Sequence, residues 1–165
     1  MTFGQRIIGV LKLSPSTFEE IEADRDATGH ALAVVVITSL AAGIGGGLLL
    51  GPLALFRETL GAVAGWVMLA AVTYVLGTRV FPEPQTRTDM GELLRVIGFS
   101  SAPNLFALFG LVPLIGRVVP TVVAFWLLAT TVVAVRQALD YNSTLRAFVV
   151  VLVGWLIFVG IQWAL

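Results

Sequence analysis

Residues 95–116, RVIGFSSAPNLFALFGLVPLIG, are long and apolar enough to lie in a membrane, yet a proline stands near their centre. Ser100, Ser101 and Asn104 flank this proline, Pro103. A proline removes one backbone donor and its ring crowds the preceding turn, so it kinks a helix. Backbone carbonyls left uncovered in hydrocarbon are costly. We therefore predict a kink at Pro103, with Pro103 and Asn104 directed toward other helices rather than lipid.

Two interpretations of these four residues stay open. They form either a structural kink that shapes a helix bundle, or a hinge beside a polar pocket in the bundle interior. Asn104 stands out among the polar groups of the apolar stretches, because an amide demands hydrogen-bond partners whereas a hydroxyl can bond its own helix backbone.

The composition of the whole chain indicates an integral membrane protein. Of its 165 residues, 58% are hydrophobic and only 12% are charged, against roughly 25% charged residues in soluble domains. The formal net charge is zero, so no basic field favours a nucleic-acid partner. The lipid bilayer is the first partner that this composition implies.

Five apolar stretches have the length of about 20 helical residues that crosses a bilayer. Segments rich in proline, glycine and polar residues separate them. In the segment before the third stretch, Asp89 followed by Glu92 predicts a capping box that restarts a helix. We predict an all-α fold, a five-transmembrane-helix bundle over residues 30–165, preceded by a cytosolic segment over residues 1–29. The predicted crossings are His30–Leu50, Thr59–Val80, Val96–Val112, Val118–Val135 and Leu145–Ala164.

The basic residues predict the orientation. With five crossings, two arginines, Arg57 and Arg117, lie on the side opposite the N-terminus. Eight basic residues lie on the N-terminal side: Arg6, Lys12, Arg25, Arg79, Arg87, Arg95, Arg136 and Arg146. The positive-inside rule places the N-terminus in the cytosol and the C-terminus outside. The alternative is a re-entrant third stretch, for which the count would be seven basic residues against three, so five crossings are favoured. We therefore expect a multi-pass protein of the inner, cytoplasmic membrane.

The N-terminal segment begins with an amphipathic pattern. Apolar residues from Phe3 to Leu11 share one helical face, while Gln5, Arg6 and Lys12 lie on the other. This pattern predicts a short helix that lies in the membrane interface.

An acidic stretch, LSPSTFEEIEADRD, follows over residues 13–26. Ser16 and Glu19 are spaced for a capping box that restarts a helix. The carboxylates form a candidate surface for a cytosolic protein partner, although a charge run is also typical of a plain solvated face. The candidate residues are Glu19, Glu20, Glu22 and Asp24.

Small residues recur at helical spacing in the first two crossings, which allows helix backbones to approach closely in lipid. The pattern is compatible with packing of these two helices within one chain, or with a homo-oligomer interface. The residues concerned are Gly43, Gly47, Gly51, Gly61 and Gly65.

The sequence lacks the residues that several kinds of catalytic and metal site require. The chain has no cysteine, and His30 is its one histidine. No predicted crossing has a charged residue at its centre, so a proton relay or an ion-pair site within the membrane is not expected. A serine nucleophile would lack a base. We predict a protein that is not an enzyme and binds no metal or cofactor.

The order of these parts resembles the Yip domain family of Ypt-interacting membrane proteins. The matching positions are Ser14-Pro15, Phe18, Gly98, Pro103, Arg136, Ser143 and Arg146-Ala147. The resemblance implies a five-helix bundle with a cytosolic N-terminus. Eukaryotic relatives are linked to Rab-type GTPases and carry a long cytosolic tail with an Asp-Leu-Tyr/Gly-Pro signature. This chain has neither, which favours a short prokaryotic member.

The leading hypothesis is a membrane-organising or partner-recruiting module that acts through its N-terminal segment. The alternative is a permease or channel for a small solute or lipid, lined by the third crossing around Asn104.

Overall fold

The structure, a computed structural model, describes residues 1–46 and 51–164. These residues form helices and connecting turns with no strand among them, which confirms the all-α prediction. A π-helical turn, Leu76–Val80, extends α4, and a 3₁₀ segment, Ala102–Leu111, follows α5. The α-helices are α1 Phe3–Leu11, α2 Pro15–Ala23, α3 Ala27–Gly45, α4 Pro52–Val75, α5 Met90–Ser100, α6 Val119–Ala138 and α7 Thr144–Ala164.

Five helical segments of the described chain are long and apolar enough to cross a membrane, so the predicted multi-pass architecture is confirmed. The second begins earlier than predicted, at Pro52 rather than Thr59, because Gly51 takes a positive φ of 83° and proline suits the first helical turn. The segments are Ala27–Gly45, Pro52–Val80, Met90–Leu111, Val119–Ala138 and Thr144–Ile161.

The third span changes helix type in its middle. The α-helical pattern ends at Ser100, and a 3₁₀ segment continues the span. Pro103 cannot donate a backbone hydrogen bond, and the next amide, Asn104 N, reaches only three residues back to Ser101 O at 3.0 Å. A 3₁₀ run of this length is uncommon, so the segment depends on its surroundings.

Helix α5 occupies the centre of the bundle. It packs against α3, α4 and α6, while α7 packs against α4 and α6. The side chains of Leu93, Val96 and Phe99 are completely buried at this centre. Beyond α5, the 3₁₀ segment packs mainly against α3 and α6, so it leans away from α4 and α7.

The N-terminal helices pack on the bundle instead of standing apart from it. Helices α1 and α2 form a hairpin, and α2 packs against α5 and α6. Val10, Phe18 and Ile21 are completely buried in the same core as the spanning helices. One face of α1 therefore belongs to the protein core, and the placement of α1 in the membrane interface stays a prediction.

Local capping explains the helix starts. The predicted box at the start of α5 is confirmed, because Asp89 Oδ1 accepts from Glu92 N and Glu92 Oε2 accepts from Asp89 N, both at 2.8 Å. The box predicted for Ser16 and Glu19 is wrong. Pro15 is the first residue of α2, so Ser16 already lies inside the helix.

One prediction concerns close packing around α5. A Cβ added at Gly98 would lie 2.8 Å from the Cβ of Ala31, whereas one at Gly61 would meet nothing within 4 Å. We expect Gly98→Ala to destabilise the protein by about 1–3 kcal/mol, because the core is already filled. Gly61→Ala should be neutral or stabilising by up to about 1 kcal/mol. Thermal unfolding in one detergent measures both, and equal midpoints would contradict this packing.

Candidate functional site

Hydroxyl groups cover the backbone where α5 ends. Ser100 Oγ donates to Ile97 O at 2.8 Å, and Ser101 Oγ donates to Gly98 O at 2.7 Å. Thr130 Oγ1 of α6 donates to Ser100 O at 2.8 Å. The carbonyls of this turn thus receive donors from their own helix and from a neighbour, as burial in an apolar bundle requires.

The same hydroxyls connect three helices. Thr38 of α3 lies 3.1 Å from Ser101, and Thr131 of α6 lies 3.3 Å from Ser100, oxygen to oxygen. Thr38, Thr131 and Ser100 are each at most 5% exposed. Because these partners are buried, this layer of paired hydroxyls fixes the position at which α5 ends.

A cavity of about 620 Å³ begins at this layer and extends between α3, α4, α6 and α7. Ser100, Ser101 and Asn104 all line it, while Pro103 is buried and is not part of the lining. We call it the distal cavity. Asn104 is half-buried, and its amide makes no hydrogen bond to any residue that the structure describes. The structure therefore brings three of the four predicted kink residues to one space.

Two of the five predicted glycines also line the distal cavity. A Cβ at Gly43 would lie 3.0 Å from the Leu55 side chain of α4, and one at Gly65 would lie 3.1 Å from Phe158 of α7. Close packing at these positions leaves no room for a larger residue without a shift of the neighbour.

The other three glycines have different surroundings. Gly61 is exposed with open space beside it, and Gly51 begins α4 with a positive φ. A Cβ added at either position would meet no other described residue within 4 Å, and an interface between two copies at Gly61 stays a prediction. Gly47 lies outside the described residues.

At the other end of the bundle, α1 is joined to α2 by a buried arginine. The Arg6 side chain is 5% exposed, and its guanidinium donates to Glu20 from Nε at 2.9 Å and from Nη2 at 2.7 Å. Nη2 also contacts Asp24. Arg6 keeps the pKa of both carboxyls below their ordinary values, mainly through these hydrogen bonds. Glu20 and Asp24, two members of the predicted partner surface, are thus engaged within the chain.

A second buried arginine joins α2 to α5. Arg95 is 5% exposed, and its Nε and Nη2 donate to Glu22 O, the former at 3.0 Å. This carbonyl belongs to the last turn of α2, where helix carbonyls lack intrahelical partners. A cation at a helix C-terminus also interacts favourably with the helix dipole. Arg95 therefore fixes the end of α2 against α5.

This arrangement leaves the other two members of the predicted surface in a pocket of about 430 Å³. We call it the acidic pocket. It is lined by four carboxylates, Glu19, Glu22, Glu92 and Asp140. Arg136 is its one lining cation among the described residues. No group suited to a metal ion occurs in that part of the chain.

The carboxylates of the acidic pocket repel one another. Burial, followed by repulsion from Glu92 and Asp140, raises the pKa of Glu22 to about 7. Arg95 partly opposes this shift. Glu22 is therefore only partly ionised near neutral pH, and a positive group in the pocket would favour its charged form.

Ordered loops support the acidic pocket. Asp140 has a φ of 52°, and Tyr141 N bonds to Arg136 O at 2.9 Å, which ends α6 in a tight left-handed cap. The Tyr141 hydroxyl is buried and donates to Phe81 O at 2.7 Å. Glu83 accepts from Asn142 N at 3.2 Å, so the loop before α5 is joined to the loop after α6.

Sequence reasoning missed both arginine contacts. Arg6 was assigned to the polar face of α1, yet it is four residues from buried Val10 and so shares its face. That spacing was the available signal. No sequence pattern predicts the contact of Arg95 with Glu22 O, because the two residues are 73 positions apart. Nor does any pattern predict that Glu92 and Asp140 line the acidic pocket.

A family model, the Yip1 domain, matches residues 8–165. The match includes α2 and all five spanning segments. No curated protein and no solved structure matches the chain.

Docking of α1 through Arg6 can be tested by hydrogen–deuterium exchange. We expect Arg6→Gln to speed exchange across residues 3–11 by about tenfold or more, because hydrogen bonds to charged groups contribute about 1.5–3 kcal/mol. Arg25→Gln, at an exposed position of the same segment, is the matched control.

The pH dependence of α1 docking follows from the lowered pKa of Glu20 and Asp24. The ordinary pKa values of these carboxyls are 4.5 and 3.8. Their contribution to the stability of docked α1 is therefore complete above pH 4.5 and is lost as the pH falls through the lower pKa values of the folded protein. The part of the α1 protection that Glu20 and Asp24 contribute should be constant from pH 7 to pH 5. Equal exchange in Arg6→Gln and the unmodified protein would show that Arg6 does not hold α1.

Proposed function

We propose that this chain, which belongs to the Yip1 domain family, is a non-enzymatic membrane module that recruits a cytosolic partner through the acidic pocket. The partner contributes a basic segment. One observation carries the proposal: four carboxylates converge on an open pocket that has one guanidinium, Arg136, among its described lining residues.

The charge balance of the acidic pocket supports a cationic partner. Arg136 is itself engaged, since its Nε donates to Tyr141 O at 3.2 Å. Glu19, an exposed lining residue, accepts a hydrogen bond from Gln137 at 2.9 Å. Burial is the main cause of the raised pKa of Glu22, and repulsion from Glu92 and Asp140 adds to it. A lysine or arginine from a partner would relieve that repulsion.

The rigidity of the acidic pocket favours a role in partner recruitment over the interpretation of its carboxylates as a plain solvated face. Arg95 fixes α2, and Tyr141 fixes the loop after α6, so the carboxylates stand on ordered elements. A surface ordered before binding loses less conformational entropy when a partner docks.

The proposal places the acidic pocket in the cytosol, with the protein in the cytoplasmic membrane. The count of basic residues and the family's cytosolic N-terminus support this orientation. The acidic pocket and the N-terminal hairpin lie at one end of the bundle, and the distal cavity opens toward the other.

A second candidate function, passage of a small solute or lipid, is favoured by the distal cavity beside Asn104. Between this cavity and the acidic pocket, α5 presents the completely buried apolar side chains Leu93, Val96 and Phe99. These side chains interrupt a polar path, so the observation supports binding more than passage. Solute flux into proteoliposomes would support the second candidate.

Orientation can be tested by cysteine labelling, since the chain has no native cysteine. Arg87→Cys and Asn142→Cys are exposed positions of the loops beside the acidic pocket, and Leu114, 93% exposed, lies at the opposite end of the bundle. In intact cells, an impermeant maleimide should label Leu114→Cys only. Labelling of Asn142→Cys from outside would contradict the orientation.

Recruitment can be tested with a defined cationic probe. A fluorescent oligolysine peptide should bind the full chain in nanodiscs of uncharged lipid. The double variant Glu22→Gln/Glu92→Gln should weaken binding by about tenfold, corresponding to about 1.4 kcal/mol. Asp26→Asn removes an exposed carboxylate outside the acidic pocket and serves as the control.

The same titration has a predicted pH dependence. Because the pKa of Glu22 is about 7, peptide binding should weaken as the pH falls from 8 to 6, and the double variant should lose this dependence. Equal weakening by Asp26→Asn would mean that binding follows general charge, and the acidic pocket would then not be the site.

A further inference from the structure

The distal cavity has a second property that recruitment at the acidic pocket does not use. It occupies the space left where the 3₁₀ segment leans toward α3 and α6, away from α4 and α7. Small residues of α3 and α4, Ala42, Gly43, Ala62 and Gly65, widen it. Its volume of about 620 Å³ lies within the range of roughly 300–1,000 Å³ that is typical of small-molecule sites.

The walls of the distal cavity are mainly apolar and aromatic. Trp66 of α4, together with Trp155 and Phe158 of α7, contributes ring surfaces. The hydroxyls of its inner end are already paired with one another or with backbone carbonyls. The side-chain amide of Asn104, by contrast, has no hydrogen-bond partner among the described residues. The cavity therefore suits an apolar body and offers one unused amide.

Among the described residues that line the distal cavity, one carries a charge. Glu58 of α4 is exposed and stands eight residues before Trp66, about 12 Å along the helix toward the distal end. Its neighbour Arg57 is not part of the lining. An apolar space with one carboxylate at its mouth and aromatic rings along its wall is complementary to an organic cation, which aromatic faces also attract.

We propose that the distal cavity is a binding site for a hydrophobic organic cation, an amphipathic molecule with an apolar body and one positively charged group. Glu58 pairs with the positive charge, and the rings of Trp66, Trp155 and Phe158 contact the body. The site lies at the opposite end of the bundle from the acidic pocket, so either proposal can fail without the other.

The test uses two probes of equal size and opposite charge. Tetraphenylphosphonium and tetraphenylborate are titrated against the full chain in nanodiscs of uncharged lipid, and binding to empty nanodiscs is subtracted. The phosphonium should bind saturably at one site, and the borate at least about tenfold more weakly.

Two variants locate the site. Glu58→Gln should weaken phosphonium binding by about tenfold, and Ala62→Phe should abolish it because the ring fills the distal cavity. Asp26→Asn removes a carboxylate near the other end of the bundle and should leave binding unchanged. Unfolding midpoints of each variant identify any that fail to fold, and Ala62→Leu then replaces Ala62→Phe.

Three outcomes overturn the proposal. The first is the absence of saturable phosphonium binding above that of empty nanodiscs. The second is equal affinity for phosphonium and borate, which would show that Glu58 does not select charge. The third is full affinity in folded Glu58→Gln and Ala62→Phe, which would place the cation elsewhere.

Discussion

Two buried guanidinium groups on either side of α2 hold the N-terminal helices against the membrane bundle. Arg6 reaches α2 from α1 through the carboxylates of Glu20 and Asp24, and Arg95 reaches it from α5 through the carbonyl of Glu22. A buried cation is costly unless it is paired and hydrogen-bonded, so each arginine specifies its partner. The position of α2, and with it the geometry of the acidic pocket, depends on these two contacts.

The third span gives the two ends of the bundle different chemistry. Near the acidic pocket, α5 is a regular helix that fills the core with Leu93, Val96 and Phe99. Past Ser100 the chain becomes a 3₁₀ segment that leaves space beside α4 and α7. A proline in one span therefore accounts both for the layer of paired hydroxyls and for the distal cavity beyond it.

The five spans could be predicted from the length of the apolar stretches and the positions of proline and glycine. The cap at Asp89 could be predicted from the three-residue spacing between Asp89 and Glu92. These features depend on residues close together in the chain. The docked N-terminal hairpin was not predictable, because Arg95 meets Glu22 O across 73 residues. Glu58 was missed as a cavity residue because the second span was expected to begin at Thr59, which left Glu58 in a loop, whereas the helix begins at Pro52.

The two arginine contacts should hold α2 on the bundle with a single geometry. Spin labels at Ser16→Cys on α2 and Asn142→Cys after α6, both exposed positions, allow double electron–electron resonance on the full chain in nanodiscs. We expect one narrow distance distribution, which broadens when Arg95→Ala removes the donor to Glu22 O. A broad distribution in the protein with Arg95 intact, unchanged by Arg95→Ala, would show that Arg95 does not fix α2.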